Sequence, residues 1–346
     1  MTARRLDARL VPEMLARYGD VTRVGLARYL RPREPNRHLY ALVADYPRRG
    51  GRMLRPALCI ATARVFGASL EDAVSAAVGL ELLHNAFLVH DDVEDESTSR
   101  RGLPTLNALH GTPIAVNAGD ALIVLGLRAF LDARWTIGPR LTQHLLEEAE
   151  RMAREAVEGQ AIELGWQRDR AVHLGDGDYF EMALKKTCWY TTIFPSRAGA
   201  LIGTRSEQAL DAFVCFGFFL GAAFQIQDDL LNLVGDEARY GKELGGDIRE
   251  GKRTLMLLHL LREADPPERA RLAEFLGRPR ARRSARDVGW VRRRMDGRGS
   301  MEYARQVAHG LAGAAREEGA RLYAALPDSP DRRFIEALPA WVLERR

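Results

Sequence analysis

Cysteine is scarce in this chain of 346 residues, which has three: Cys59, Cys188 and Cys215. None has the spacing of a zinc site or a CxxC pair, which excludes a disulfide scaffold and a metal finger. We therefore expect buried thiols in a reducing cytosol. The first residues, MTARRLDARLVPEML, also lack the apolar core of a signal peptide.

Long apolar stretches and linkers are missing as well. The longest run without Asp, Glu, Lys or Arg, residues 102–119, is broken by Gly and Pro. It is too polar to cross a membrane, which takes about 20 apolar residues. No Gly/Ser-rich linker or internal repeat divides the sequence. We expect one soluble, cytoplasmic domain over residues 1–346, without a membrane span.

A large excess of one charge is absent too. The 51 Lys and Arg residues exceed the 47 Asp and Glu residues by four, largely because of residues 278–298. An RNA or DNA site needs aromatic side chains for stacking, and Trp290 is the only one in that segment. The composition predicts no nucleic-acid partner and a solvated basic face. Binding of RNA or of a membrane surface through residues 280–294 is the alternative.

Strand-like alternation is hard to find, whereas apolar residues recur at helical spacing almost everywhere. The spacing predicts an all-α fold, a large single-domain helical bundle. We expect helices at 5–17, 36–46, 55–66, 70–99, 113–134, 140–168, 177–203, 206–233, 251–264, 267–275, 284–296, 299–325 and 330–343. Ser69 and Asp72 form a capping pair before the fourth helix. Pro195 should break or kink the helix at 177–203.

Two of these helices end in clustered acids. The first ends in LVHDDVED, in which Asp91 and Asp95 are four residues apart and share a helix face, with Asp92 beside them. The second ends in FQIQDDLLN, in which Asp228 and Asp229 are adjacent. Like charges at such spacing repel each other unless a cation lies between them. An all-oxygen ligand set suits Mg²⁺. A solvated helix end would explain one such cluster, but two after apolar runs favour a metal site.

Basic and polar side chains suited to a diphosphate occur in five further segments. They are Arg52 and Arg55 in GGRMLRP, His84, the pair Arg100 and Arg101, the run Lys185, Lys186 and Thr187, and the lysines Lys242 and Lys252 of a Gly-rich loop. Arginine forks match phosphate oxygens well. Each segment also has an ordinary structural explanation, and the two mid-helix lysines would reach water about as readily as an anion. The loop is not a P-loop, because the GxxxxGK[ST] order is absent.

Taken together and in this order, the motifs resemble those of the trans-isoprenyl diphosphate synthases, or polyprenyl synthetases. The resemblance runs from Gly50 to the lysines of the Gly-rich loop. It identifies Asp91, Asp92 and Asp95 with the first aspartate-rich motif, and Asp228, Asp229 and, imperfectly, Asn232 with the second. It assigns Arg52, Arg55, His84 and Arg101 to isopentenyl diphosphate, and Arg100, Lys186, Thr187, Gln225, Lys242 and Lys252 to the allylic diphosphate and its leaving group.

The resemblance implies head-to-tail transfer of a prenyl group from an allylic diphosphate to isopentenyl diphosphate. It further implies three Mg²⁺ ions per active site, bound by the two acid motifs, and a homodimer. Of the implied catalytic residues, Lys186 would donate to the leaving diphosphate, while Thr187 and Gln225 would stabilise the carbocation at the top of a deep central cavity. No dedicated base is present, so the departed diphosphate is expected to take the proton.

Product length should depend on how deep the cavity runs below Asp91. Phe87 and Ala86 lie four and five residues before it, and one helical turn of about 5.4 Å is similar to one isoprene unit. One bulky and one small residue favour geranylgeranyl diphosphate (C20), and Ala86→Phe should shorten the product. A farnesyl (C15) or longer polyprenyl synthase, a class I terpene cyclase and a non-catalytic partner subunit are the alternatives.

Overall fold

Helices account for nearly all regular structure in this computed structural model, which describes residues 9–234 and 245–345. The α-helices are α1 (Leu10–Leu26), α2 (Ala41–Val43), α3 (Asp45–Arg48), α4 (Leu54–Val65), α5 (Leu70–Glu94), α6 (Leu106–His110), α7 (Thr112–Asp132), α8 (Arg134–Ile137), α9 (Pro139–Arg168), α10 (Asp176–Ala183), α11 (Phe194–Thr204), α12 (Ala212–Val234), α13 (Gly246–Glu250), α14 (Leu255–Glu263), α15 (Pro266–Gly277), α16 (Ala285–Gly297), α17 (Ser300–Leu322) and α18 (Pro330–Glu344). Two segments, Asn36–Tyr40 and Leu184–Ile193, are π-helical, and Arg280–Arg282 is a 3₁₀ turn. The predicted all-α class is confirmed.

Helix α5 runs through the centre of the bundle. It begins at the expected place, because Ser69 and Asp72 form a reciprocal capping box. Its apolar residues lie on all sides of the helix, as expected for a helix that is enclosed by other helices. It packs against α1, α4 and α7. This packing holds the first acid cluster at the end of a rigid, buried helix.

The end of α5 differs from the prediction, which continued the helix to residue 99. The helix stops at Glu94, and Glu96 adopts a left-handed φ of 50°. The amide of Ser97 donates to the carbonyl of Asp92, and that of Glu96 donates to Val93. These bonds are the Schellman pattern, here without the usual glycine. The sequence offered no glycine to signal this stop.

A short hairpin follows, in the part of the chain where we expected no strands. β1 (Ser99–Arg100) pairs antiparallel with β2 (Leu103–Pro104). The two linking residues, Arg101 and Gly102, have φ values of 54° and 75°. Positive φ at both positions is the tight type I′ connection that suits the twist of paired strands. The hairpin turns Arg100 and Arg101 back toward the end of α5.

The chain does not leave the helical conformation at Pro195, where a break or kink was predicted. The π-helical segment Leu184–Ile193 passes directly into α11, which begins at Phe194, so the change near Pro195 is one of helix type. A π-helical turn widens the helix and changes which side chains face a site. This segment carries Lys186 and Thr187, and it packs against α9 and α12.

Three helices are long and apolar enough, by length and composition alone, to cross a membrane: Leu70–Glu94, Thr112–Ile137 and Ala212–Val234. The sequence does not show these three helices as uncharged runs, because each of them includes a few charged residues. In the folded chain, 72%, 44% and 56% of their most apolar windows are buried against other helices. The expectation of buried thiols is corrected in one case, because Cys59 and Cys188 are buried but Cys215 is exposed.

The contact between α9 and the π-helical segment depends on Gly159. A Cβ atom at this position would lie 2.1 Å from the backbone nitrogen of Lys186. No larger residue fits without moving the backbone that carries Lys186. The same helix has a second glycine, Gly165, with nothing within 4 Å of its Cβ position.

We therefore expect Gly159→Ala to lower the free energy of unfolding by about 2 kcal/mol, since overpacking moves backbone. Gly165→Ala is the matched control and should raise it by roughly 0.5 kcal/mol, because alanine is the better helix former. Urea unfolding of the two variants measures both. Equal effects of the two substitutions would contradict the close approach at Gly159.

Candidate active site

A cavity of about 350 Å³ lies between the carboxyl-terminal ends of α5 and α12. Both acid clusters reach it, together with most of the basic residues that the sequence singled out. Its lining includes Arg52, Arg55, His84, Asp91, Arg100, Arg101, Lys186, Thr187, Gln225, Asp228, Asp229 and Lys252. The structure thus brings residues up to two hundred positions apart to one site. Lys242 lies outside the described residues.

The three acids of the first cluster have different surroundings. Asp91 faces the cavity, 3.9 Å from the ammonium of Lys186. Asp95 accepts a hydrogen bond of 2.7 Å from the ammonium of Lys252. Asp92 is fully buried and does not line the cavity. Of the three acids, Asp91 lines the cavity, and buried Asp95 reaches it through Lys252, which is part of the lining.

Asp92 is instead bound to the hairpin. Arg100 donates from Nε to both oxygens of Asp92 at 2.8 Å and from its terminal nitrogen at 2.6 Å, and the hydroxyl of Tyr46 donates to the same carboxylate. Burial alone would lower the pKa of Arg100, but the bonds and charge of Asp92 outweigh it and raise the pKa. The roles of Asp92 as a metal ligand and of Arg100 as a diphosphate donor stay predictions. In this structure the two side chains join the hairpin to α5, and Arg100 also lines the cavity.

The second cluster is held by neutral and basic donors. Asp229 accepts from the hydroxyl of Tyr179 at 3.1 Å and from Nε2 of Gln225 at 2.7 Å. Asp228 accepts from Arg345 at 2.7 Å. Burial, followed by the charge of Asp247, raises the pKa of Asp229 well above its usual range. The chain thus concentrates negative charge where little water can screen it.

Asn232 does not serve as a third acid of this motif. It is buried, and its side-chain oxygen accepts from the backbone amide of Asp247 at 3.2 Å. This bond ties the end of α12 to the start of α13. As a result, the carboxylate of Asp247 lines the cavity beside Asp228 and Asp229.

The adjacent lysines Lys185 and Lys186 point in different directions. Lys185 reaches outward to Glu155 and Glu158 at 2.9 and 2.6 Å. Lys186 points into the site, between Glu163 and Asp91. The sequence could not decide between an outward and an inward lysine. Adjacent residues of a helix do not share a face, so each lysine takes one of the two roles.

Arg55 and His84 meet on the opposite wall of the cavity. One terminal nitrogen of Arg55 lies 3.4 Å from Nε2 of His84, and the other donates to the hydroxyl of Thr191 at 2.8 Å. Burial and then the charge of Arg55 lower the pKa of His84 well below its usual range, so the imidazole stays neutral at neutral pH. Within the described residues, Nε of Arg55 and Nδ1 of His84 are buried without a hydrogen-bond partner. Such orphan donors indicate a missing acceptor.

Arg101 and Arg52 complete this wall. Arg101 donates to the carbonyl of Gly50, and its guanidinium would lie 3.0 Å from a Cβ at Gly51. The paired glycines therefore provide a tight turn, as Gly50 has a φ of 81°, and also room for the arginine. Arg52 lines the cavity on the same side.

Sequence reasoning missed several side chains of the site. Glu163 is buried beside Lys186 and follows Ala156 and Gly159 on one face of α9. An acid at a buried helical position was a signal that we did not use. Tyr179 and Arg345 carried no such signal, since only tertiary packing brings them to α12. Arg253, almost fully buried, donates to the carbonyls of Gly251 and Ala171 and so fixes the backbone next to Lys252.

A second, apolar cavity of about 240 Å³ adjoins the first. Phe87, Ile123, Ala156, Val157, Ala161 and Leu164 supply much of its lining. Of the two predicted chain-length residues, Phe87 lines this cavity and Ala86 does not. Ala86 is fully buried in a cluster with Leu122 and Leu125 of α7. The depth prediction therefore applies to Phe87 rather than to Ala86.

The described acids suit a divalent cation. Asp91 and Asp95 on one side and Asp228, Asp229 and Asp247 on the other offer only oxygen atoms, the donors that Mg²⁺ prefers. Among the described residues, no three acidic, His or Cys side chains converge on one point. Asp95 and Asp228 are instead each bonded to a basic side chain of the protein.

Comparison with known proteins identifies the class. A family model described as polyprenyl synthetase matches residues 36–290. The short chain isoprenyl diphosphate synthase of Methanothermobacter thermautotrophicus is 33% identical over 86% of this chain and 87% of its own length. The octaprenyl diphosphate synthase of Escherichia coli is 31% identical, over 84% and 83%. The crystal structure of geranylgeranyl pyrophosphate synthetase from Pyrococcus horikoshii superposes with a TM-score of 0.84 at 31% identity, over 96% and 99%.

The chain belongs to the polyprenyl synthetase family. It is a prenyltransferase of the trans-prenyl diphosphate synthase type, a family that uses a divalent metal ion. The resemblance first inferred from the motifs is thereby confirmed.

The division of labour within the first acid cluster predicts two different defects. Asp92→Asn should lower the free energy of unfolding by about 3 kcal/mol, because it removes the charge that compensates buried Arg100. Asp91→Asn should leave the unfolding midpoint near that of the wild type but slow metal-dependent turnover roughly a hundredfold. Thermal unfolding and initial rates measure the two effects. An equal loss of stability in both variants would contradict the assignment.

Proposed function

We propose that this chain is a Mg²⁺-dependent synthase that condenses isopentenyl diphosphate with allylic diphosphates, with geranylgeranyl diphosphate as its main product. One observation carries the proposal. Acids from two helices and a set of buried cations line one polar cavity, and that cavity adjoins an apolar one. A diphosphate head and a hydrocarbon tail fit this pairing of environments.

The leaving diphosphate lies, in this proposal, between the two acid helices. Lys186 and Lys252, now paired with carboxylates, supply ammonium groups to its oxygens as negative charge develops there. Mg²⁺, which we propose at three ions per site held by Asp91, Asp95, Asp228 and Asp229, would neutralise that charge. The carbon–oxygen bond of the allylic substrate breaks, and the diphosphate departs with the electron pair.

Polar groups near the reacting carbon favour the allylic carbocation that remains. The hydroxyl of Thr187 donates to Oε1 of Gln225 at 2.8 Å, and Nε2 of Gln225 donates to Asp229. These bonds fix the amide so that its oxygen dipole faces the side of Thr187. The cation thereby meets preorganised oxygen atoms rather than mobile water.

Arg52, Arg55, His84 and Arg101 hold the diphosphate of the second substrate. The unpartnered Nε of Arg55 and Nδ1 of His84 support this assignment, as does the presence of all four residues in the cavity lining. Its double bond attacks the carbocation, a carbon–carbon bond forms, and the proton lost from the neighbouring carbon passes to the departed diphosphate. Neutral His84 serves as a hydrogen-bond donor and is not needed as a base.

The assay that tests the proposal supplies Mg²⁺, isopentenyl diphosphate and each of the C5, C10 and C15 allylic diphosphates. We expect chain extension that stops mainly at C20, loss of turnover with a chelator, and recovery when Mg²⁺ is restored. Chromatography of the dephosphorylated products gives their length. Cyclic hydrocarbons formed without isopentenyl diphosphate would indicate a terpene cyclase instead, and no turnover at all would favour a non-catalytic subunit.

Phe87 supports a C20 product because its ring narrows the apolar cavity. We expect Phe87→Ala to lengthen the main product by at least one isoprene unit of about 5 Å. Ala86→Phe is the contrasting variant and should lower stability by overpacking the α5–α7 core. Product chromatography and thermal unfolding separate the two effects. An unchanged product from Phe87→Ala would contradict the role of Phe87.

We also propose a homodimer, formed through α7. This helix exposes the apolar residues Val116, Val124, Leu127 and Leu131, and Val124 is 65% exposed. Asp120 and Arg128 lie four residues before and after Val124. Two antiparallel copies of α7 crossing at Val124 would place Asp120 opposite the partner's Arg128, as an isologous interface requires.

This interface predicts that Val124→Asp yields monomers in sedimentation at concentrations where the wild type is dimeric, because a charge would be buried without a partner. Val24→Asp, at a residue of α1 that is 69% exposed and outside the proposed α7 interface, is the control and should leave the dimer intact. A monomeric wild type, or a dimeric Val124→Asp variant, would contradict the interface.

A further inference from the structure

Tyr190 stands where the polar and apolar cavities meet. Among the described residues, Asp91, Lys186 and Tyr190 line both cavities. Asp91 and Lys186 belong to the leaving-group chemistry proposed above. Tyr190 is the one uncharged side chain of the three, and the mechanism assigns it no role.

The ring of Tyr190 contacts groups from both cavities. The guanidinium carbon of Arg55 lies 4.3 Å from the ring centroid, and the imidazole of His84 stacks on the ring at 5.9 Å with an interplanar angle of 30°. Phe87 meets it edge to face, with centroids 5.6 Å apart and an angle of 87°. One aromatic ring therefore touches two proposed isopentenyl diphosphate ligands and the proposed chain-length residue.

The backbone explains how one residue reaches all three. Tyr190 lies in the π-helical segment Leu184–Ile193. The neighbouring Thr191 accepts a hydrogen bond of 2.8 Å from Arg55, while Trp189 faces the other way, under Arg151. Two consecutive residues thus hold the guanidinium of Arg55, one through its hydroxyl and one through its ring face. The guanidinium has few other described contacts and relies on both.

We propose that Tyr190 is a positioning and specificity residue that couples recognition of the second diphosphate to the length of the product. Its ring face orients Arg55 toward that diphosphate by a cation–π contact. Its edge, with Phe87, forms the constriction that the growing chain must pass. This inference rests on the proposed function and deepens it.

Three substitutions separate these two roles. Tyr190→Leu removes the ring and should raise KM for isopentenyl diphosphate about tenfold, with products longer by one unit. Tyr190→Phe keeps the ring and should resemble the wild type in both respects. Tyr190→Trp keeps a cation-binding face but adds bulk, so KM should change little and the products should become shorter.

A matched control tests whether any lost arginine–tyrosine stack would have this effect. Arg33 lies 4.1 Å from the ring centroid of Tyr40, which lines neither cavity. Tyr40→Leu should leave KM and product length unchanged. A merely structural role for Tyr190 would lower the unfolding midpoint without this separation of KM from product length.

Calorimetric binding of isopentenyl diphosphate, measured beside turnover, keeps the two proposals distinguishable. If the wild type extends C15 but Tyr190→Leu shows unchanged KM and unchanged products, the inference about Tyr190 is overturned and the proposed function stands. If Tyr190→Phe is as impaired as Tyr190→Leu, the hydroxyl matters and the ring role is overturned.

If the wild type does not turn over, the proposed function fails. Affinity then decides the positioning role: about tenfold weaker binding by Tyr190→Leu supports it, and equal binding overturns it.

Discussion

The architecture depends on one electrostatic constraint: two acid-tipped helices face each other across a cavity where water can screen their charges only poorly. The chain meets this constraint with its own cations. Lys252 binds Asp95, Lys186 lies near Asp91, and Arg345 binds Asp228. The buried Arg100–Asp92 pair anchors the same helix end to the hairpin. Removing either partner of such a pair is costly, which explains why the site is so densely paired.

Much of this could be predicted from the sequence, because helical periodicity and acid spacing are local signals. The capping box at Ser69 is predicted directly from residue types. We inferred that the two acid clusters meet because their sequences are similar. No local feature of the sequence shows which helices are neighbours in the fold. The position of His84 on the helix that carries the first acid cluster singled it out, and the family motifs supplied the assignment of each basic residue to a substrate.

The features that we did not predict depend on backbone conformations that the residue types do not indicate. The stop of α5 uses a left-handed glutamate, and the type I′ turn begins with an arginine. Both violate the usual preference for glycine. The π-helical segment that carries Lys185 and Lys186 also has no local signature. Each of these irregular features lies beside the site, where strained geometry is most often retained.

The self-paired site has a consequence for the order in which ligands bind. In the proposed site, a bare divalent ion must compete with Lys252 and Arg345 for Asp95 and Asp228, and each displaced cation would lose one carboxylate partner. A diphosphate arriving with the ion offers those cations new acceptors. Ion and substrate should therefore strengthen each other's affinity, and by linkage the free-energy gain is the same whichever is counted first. The substrate-free protein thus disfavours metal binding until the diphosphate substrate is present.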